Sequence, residues 1–379
     1  MKRFWQFVIC FSIVIVVVYM KPVLASRNTP PVKNKLDVIE ESYKPANMLH
    51  NELNASGMAL EIGTPEADWL KEHPNPTKTY QSAFDIKWLV YGSSLTDFYQ
   101  VGISKGKVSN IFILGNHLDT DPFRIDMNLA DLSEITTIFS TFKINFDNKI
   151  YRMELTEDDM NYRPLVSFNN GTFAMLHLNQ TTGQLISIRY LDKETLLKLA
   201  PYPFDGINKY EPQLSDAIDW KVINEDNRQQ TLQLLNLLRS RDHRLQYTFD
   251  EHLQSETTKS LDSFLEKPES VLDDEQNLIW ADYQTKLSQS DIINFNEDMM
   301  NRLIKEAGFN KKNTHGLYYQ PATDIPFMVS SLYGSRSYHE ELLHTKDKYI
   351  GISFQKNSML MFFSKQTPVE TVKTEESSE

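Results

Sequence analysis

Sulfur chemistry is almost absent from this chain: of its 379 residues only Cys10 is a cysteine, and it lies inside an N-terminal apolar run. Beyond that run there is no thiol for a disulfide, a cysteine metal ligand or a nucleophile. Positive charge is also scarce. The 39 Lys and Arg are outweighed by 51 Asp and Glu, a formal net charge of −12 at pH 7. A surface of that sign repels polyanions, which argues against nucleic acid as a partner. Familiar catalytic spacings are missing as well: there is no Gly-x-Ser-x-Gly elbow, no His-Glu-x-x-His and no phosphate loop. What is present suits packed cores. Hydrophobic residues make up 40% and charged residues 24%, at a length that calls for two or three domains.

The long apolar run is Phe4 to Met20, with Lys2 and Arg3 before it and Lys21-Pro22 after it. It reads as an export or membrane signal over residues 1–21, with the N-terminus cytoplasmic and the bulk of the chain outside. A retained single-pass anchor is favoured, and secretion after cleavage near Ala25 is the alternative. Residues 22–55, carrying Pro30, Pro31 and Pro45, read as a tether, and residues 365–379 as a disordered acidic tail. A cysteine-free exported chain suits a Gram-positive cell envelope.

Between these tails lies an internal repeat. Phe98 to Ile103 and Val108 to Ile113, around a turn at Ser104 to Lys107, read as a β-hairpin. The same alternation returns at Phe173 to Leu178 and Leu185 to Tyr190. The outgoing strand recurs at an offset of 75 residues (Phe98 to Phe173) and the return strand at 77 (Val108 to Leu185), as a lengthened turn would produce. Strand-like runs at Trp88 to Tyr91 and Arg163 to Phe168 precede the two hairpins. Two similar α+β units are expected, at about 56–125 and 128–205. Within them His117 beside Asp119 and Asp121 reads as a solvated loop, His177 as an exposed or satisfied sheet residue, and Glu154 to Asp159 as a solvated turn.

After Pro201-Tyr202-Pro203 the pattern turns helical. Leu232, Leu234, Leu235, Leu237 and Leu238 form one apolar stripe, Leu253, Leu261 and Phe264 another, and Met299, Met300, Leu303 and Ile304 a third. A closing hairpin alternates Ile350, Ile352 and Phe354 before returning through Met359 to Phe363. This order resembles the CAP superfamily of cysteine-rich secretory, antigen-5 and pathogenesis-related proteins, in its disulfide-free bacterial form. Asn236 to Arg239 is similar to the family's Asn-x-x-Arg helix, and Arg302-Leu303 with Ala307-Gly308-Phe309 to its Arg-Leu-x-x-x-Gly-Ile segment. Phe327 through Ser335 to Leu343 is similar to its Trp-x-x-Ser-x-x-His-Arg-x-x-Leu-Leu helix. The first block resembles a CAP-associated N-terminal domain over 56–205, followed by a CAP-like domain over 215–364. The fold so implied is α+β: a duplicated hairpin module, then an α-β-α sandwich.

The family resemblance implies a cavity lined by two histidines and two acidic residues, able to hold zinc. In this chain Tyr338 falls at the second histidine and His339 at its arginine neighbour, while Leu317 replaces one carboxylate. The stretch that should carry the other histidine offers Asp291, Glu297 and Asp298. His315, His339 and His344 read as scattered side chains. Hence no catalytic residue, no metal and no cofactor are expected, and the protein reads as a non-catalytic binding or scaffolding module. Its contact cleft is expected to be bordered by Tyr318, Tyr319, Tyr333, Ser335, Tyr338 and His339. The partner is expected to be an envelope or membrane protein, with a lipid or cell-wall ligand also open. Two alternatives are a zinc-dependent CAP-type hydrolase acting on envelope polymer or peptide and a lipid-binding CAP module. Imidazoles and carboxylates converging on one point in the C-terminal half would overturn the non-catalytic reading.

Overall fold

Strands from both predicted repeat units merge into one antiparallel sheet. In the computed structural model, which describes residues 52–214, 218–344 and 346–365, the first half holds β1 (Lys78–Gln81), β2 (Lys87–Tyr91), β3 (Tyr99–Ser104), β4 (Lys107–Ile113), β5 (Thr141–Phe146), β6 (Lys149–Glu154), β7 (Leu165–Ser167), β8 (Phe173–Leu178) and β9 (Leu185–Leu191). The anchor, most of the tether and all but the first residue of the tail lie outside the described residues. The sheet runs β1-β2-β3-β4-β9-β8-β7. At its centre Ile111 pairs with Tyr190 and Ile113 with Ile188. Shifting Ile111 and Ile113 by the repeat offset of 77 gives Ile188 and Tyr190, so each of these pairs maps onto the other. The two hairpins are thus joined by a local two-fold through β4 and β9. The two expected units share one sheet, because each return strand would otherwise present an unpaired edge.

Local chemistry accounts for the turns. Lys105 and Gly106 both have positive φ, 51° and 72°, the geometry that lets a two-residue turn match the twist of its strands. β5 and β6 form a separate hairpin around Asp147 and Asn148, with φ of 47° and 57°. Four short helices, α1 (Glu66–Glu72), α2 (Leu129–Ile135), α3 (Glu157–Tyr162) and α4 (Lys193–Leu199), punctuate this half. The expected solvated turn at 154–159 instead begins α3: Thr156 and Asp159 make a reciprocal capping box, which satisfies the first-turn amides. His117 lies exposed in a loop.

The second half contains α5 (Trp220–Arg241), β10 (Thr248–Phe249), α6 (Glu251–Glu266), α7 (Asp274–Tyr283), β11 (Ile293–Asn294), α8 (Glu297–Glu306), β12 (Thr314–Gln320), α9 (Ile325–Gly334), α10 (Arg336–Leu342), β13 (Tyr349–Gln355) and β14 (Ser358–Ser364). Its sheet runs β10-β13-β14-β12-β11. Alternation along the strands sends Leu317, Tyr319, Ile350, Ile352 and Phe363 towards α5 and α9. It sends Tyr318, Leu360 and Phe362 towards α6, α7 and α8, which completes the α-β-α sandwich. At Gly351 a Cβ would lie 2.4 Å from Thr257 Oγ1 and 2.6 Å from the Leu253 carbonyl oxygen. Glycine there lets α6 lie directly on β13.

The described residues lie within one structural unit, and a buried polar seam joins the first sheet to α5 and α9, the helices that cover the second. Gln230 of α5 donates to Gln100 at 2.7 Å, the Ser187 and Ser330 hydroxyls are 2.9 Å apart, and Arg189 grips Asp324 through two bonds of 2.5 and 2.9 Å. His177 on β8 lies beside this seam, edge-on to the Phe327 ring at 5.5 Å. It is neither exposed nor satisfied: it is buried, and both ring nitrogens are without a hydrogen-bond partner. Burial, with Arg163 and Arg189 nearby, holds its pKa well below the ordinary 6.5, so the folded protein carries it neutral. The unfolded chain protonates it below about pH 6.5, so its contribution costs stability as pH falls through that value. We expect His177→Phe to flatten the loss of urea stability between pH 7 and pH 5, by at most about 1.4 kcal/mol per pH unit. Equal slopes for both proteins would contradict this assignment.

Candidate functional site

The tyrosines expected to border a cleft are inside the protein. Tyr318, Tyr319 and Tyr333 are 1%, 1% and 2% exposed. Tyr318 donates to Gln320 and accepts from Trp280 Nε1 at 3.1 Å. Tyr319, its neighbour on the opposite face of β12, has a buried hydroxyl without a partner. Tyr333 donates to the Asp242 carboxylate. These three rings fill the sandwich, where large apolar bodies contribute most, and they do not line an opening. Ser335, Tyr338 and His339 are half-buried. His339 donates Nδ1–H to the Tyr333 carbonyl at 2.7 Å, which ties it back to α9. A cavity of about 220 Å³ does open beside them at the seam, lined by Asp159, Arg163, His177, Gln180, Ser331 and Ser335 among others.

The positions that the family resemblance assigns to zinc ligands do not fit a metal. Leu317 is a buried hydrocarbon, and a phenol such as Tyr338 is a poor zinc ligand near neutrality. Asp291, Glu297 and Asp298 stand at or before the first turn of α8, with Glu297 and Asp298 exposed.

Donor atoms instead converge nearby. His315, His344 and Asp347 each bring one ligand atom to within 4.8 Å of the others. From sequence His315 and His344 read as scattered side chains; the structure brings them together. β12 carries His315 on the same face as Leu317 and Tyr319, α10 carries Glu341 one turn beyond Tyr338, and the loop after α10 supplies His344 and Asp347. His315 Nδ1 is 2.7 Å from Glu341 Oε2, and its Nε2 contacts Asp347 Oδ2. Burial opposes protonation of His315, but its bonds to Asp347 and Glu341 outweigh burial and lift its pKa to about 9. The same bond to His315 holds the Glu341 carboxyl below its ordinary range, against burial. His344 Nδ1 faces Asp347 Oδ1 at 3.5 Å, and neither atom has a hydrogen bond.

Asp347 is fully buried because Arg239 holds its loop. The guanidinium donates to the carbonyls of Leu245 at 2.6 Å, Leu342 at 2.8 Å and Asp347 at 3.2 Å, and it stacks 3.8 Å above the Tyr247 ring. Asn236, one turn earlier, both accepts from and donates to the Tyr247 backbone, at 2.7 and 3.0 Å. The Asn-x-x-Arg motif is therefore a staple that fixes two loops to α5. Sequence reasoning did not single out Glu341 or Asp347 as donors. The available signals were the i, i+3 spacing of Glu341 and His344 and the strand alternation that aims His315 at them.

Residues 62–202 match the family described as CAP-associated N-terminal. The fold of the chain is similar to that of solved SCP-domain proteins. An extracellular SCP-domain protein of Bacillus anthracis superposes with a TM-score of 0.65 at 19% identity, covering 83% of this chain and 97% of that one. A cysteine-rich secretory protein of Staphylococcus aureus does so with a TM-score of 0.65 at 17% identity, covering 84% and 98%. The membrane protein YlbC of Bacillus subtilis is 26% identical over 235 residues. That match spans 61% of this chain and 65% of YlbC.

Proposed function

We propose that this protein is a membrane-attached, extracytoplasmic binding or scaffolding protein of a Gram-positive cell envelope; the convergence of His315, His344 and Asp347 removes the ground for calling it non-catalytic from sequence. The observation that carries this reading is the replacement of the family's metal-holding positions by Leu317 and Tyr338 on an intact fold. The N-terminal apolar run, the membrane protein YlbC and the extracellular relatives support the location. Its contact surface is the cavity at the seam, where Ser335 and Gln180 reach solvent beside Arg163; the partner is an envelope or membrane protein. Crosslinking the full-length protein in intact cells tests this. Capture of one stoichiometric envelope protein, lost on Ser335→Trp, supports the reading. Failure to capture any, or cleavage of envelope polymer or peptide by the purified protein, refutes it. The second reading, a zinc-dependent hydrolase, is favoured by one observation, the meeting of His315, His344 and Asp347.

A further inference from the structure

We propose that His315, His344 and Asp347 form a binding site for a divalent transition metal of the zinc class, displaced from the positions the family would use. Three features of the cluster carry this. First, His344 Nδ1 and Asp347 Oδ1 are buried, face each other at 3.5 Å and have no hydrogen bond. Two donors held about 2.0–2.1 Å from one zinc at the tetrahedral angle stand about 3.3–3.4 Å apart, so this gap fits an ion where it fits no hydrogen bond. Buried polar atoms are otherwise partnered.

Second, His315 aims Nε2 at the same carboxylate while Nδ1 meets Glu341; the Nε2 proton that bridges to Asp347 is released to solvent when an ion takes its place. A ligating histidine ordinarily gives its other N–H to a carboxylate, which fixes its tautomer and orientation. That supporting group is already in place. Third, the loop bearing His344 and Asp347 is fastened by Arg239, so the donors are held before any ion arrives. Two imidazoles and a carboxylate suit zinc and its first-row neighbours and disfavour magnesium or calcium, which take oxygen ligands. Three protein ligands leave a fourth position for water.

The site stands two residues before Leu317 on β12 and in the loop that follows α10, beyond Tyr338. It is therefore shifted towards the end of the sheet, and it holds whether the module binds or hydrolyses. Its test is titration of zinc into the chelator-stripped full-length protein in detergent, followed by calorimetry and thermal melting. Wild type should bind one zinc per chain, with an unfolding constant lowered about a hundredfold when free zinc is 100 times Kd. Glu341→Gln should weaken binding about 10–100-fold. His344→Ala, at a half-exposed position that the fold tolerates, should lose saturable binding, and His339→Ala should keep it. No saturable binding by wild type, or undiminished binding by His344→Ala, overturns the site. Either result leaves the capture experiment above to be decided separately.

Discussion

Asp324→Ala is expected to destabilise the folded protein by about 3–5 kcal/mol, the range for removing one partner of a buried ion pair. Arg189 and Asp324 are 0% and 1% exposed at their side chains. The arginine has one further acceptor, Asn110 Oδ1 at 3.0 Å, and lies 5.2 Å from the centre of the Trp88 ring. Without Asp324 the guanidinium stays buried with its charge unmatched. The amide of Phe327, which Asp324 caps at 2.9 Å, also loses its acceptor, worth about 1 kcal/mol more. Urea denaturation of the wild-type and variant proteins measures the loss. The double variant Arg189→Met with Asp324→Leu should recover most of it, since a buried pair replaced by apolar side chains is often neutral. A single-variant loss below about 1 kcal/mol would mean that water reaches the seam. The pair ties the return strand of the second hairpin to α9, so the same measurement reports how firmly the two sheets are held together.

Phe264→Ala should cost a similar amount, about 3–5 kcal/mol, for a different reason. The Phe264 ring is 1% exposed and stands edge-on to Trp280, Phe295 and Tyr318 at 5.0, 5.0 and 5.4 Å. These rings come from α6, α7, the residue that follows β11, and β12. Their edge-to-face contacts add about 0.5–1.5 kcal/mol per pair beyond burial. Removing the hub leaves a cavity that three rigid rings cannot close, so the loss should lie at the upper end. Thermal melting followed by tryptophan fluorescence gives the value; an unchanged midpoint would show that α7 repacks over the gap.

Much of the architecture was legible because the relevant signals are local. The hairpins at 98–113 and 173–190 declare themselves by alternation, and the 75- and 77-residue offsets already matched two copies of one unit. Their union through β4 and β9 was not legible, because lateral strand order is a long-range property that neither strand encodes alone. The hairpin of β5 and β6 was missed although Phe142 and Ile144 alternate with exposed neighbours, a signal diluted by the acidic run after it. Composition identified tyrosines but not their faces: Tyr318 and Tyr319 are adjacent in a strand and necessarily point to opposite layers. His315 lies 29 residues before His344. Spacing of that length says nothing until β12 and the end of α10 are known to be neighbours.

The grip of Arg239 on the loop after α10 has a consequence for how this protein can change. Its bonds end on main-chain oxygens of Leu342, His344 and Asp347, groups that every amino acid carries. The path of the loop is thus insured against exchange of the side chains it displays. Selection can rewrite what positions 344 and 347 hold, or cease to hold, while the scaffold beneath them stays as it is.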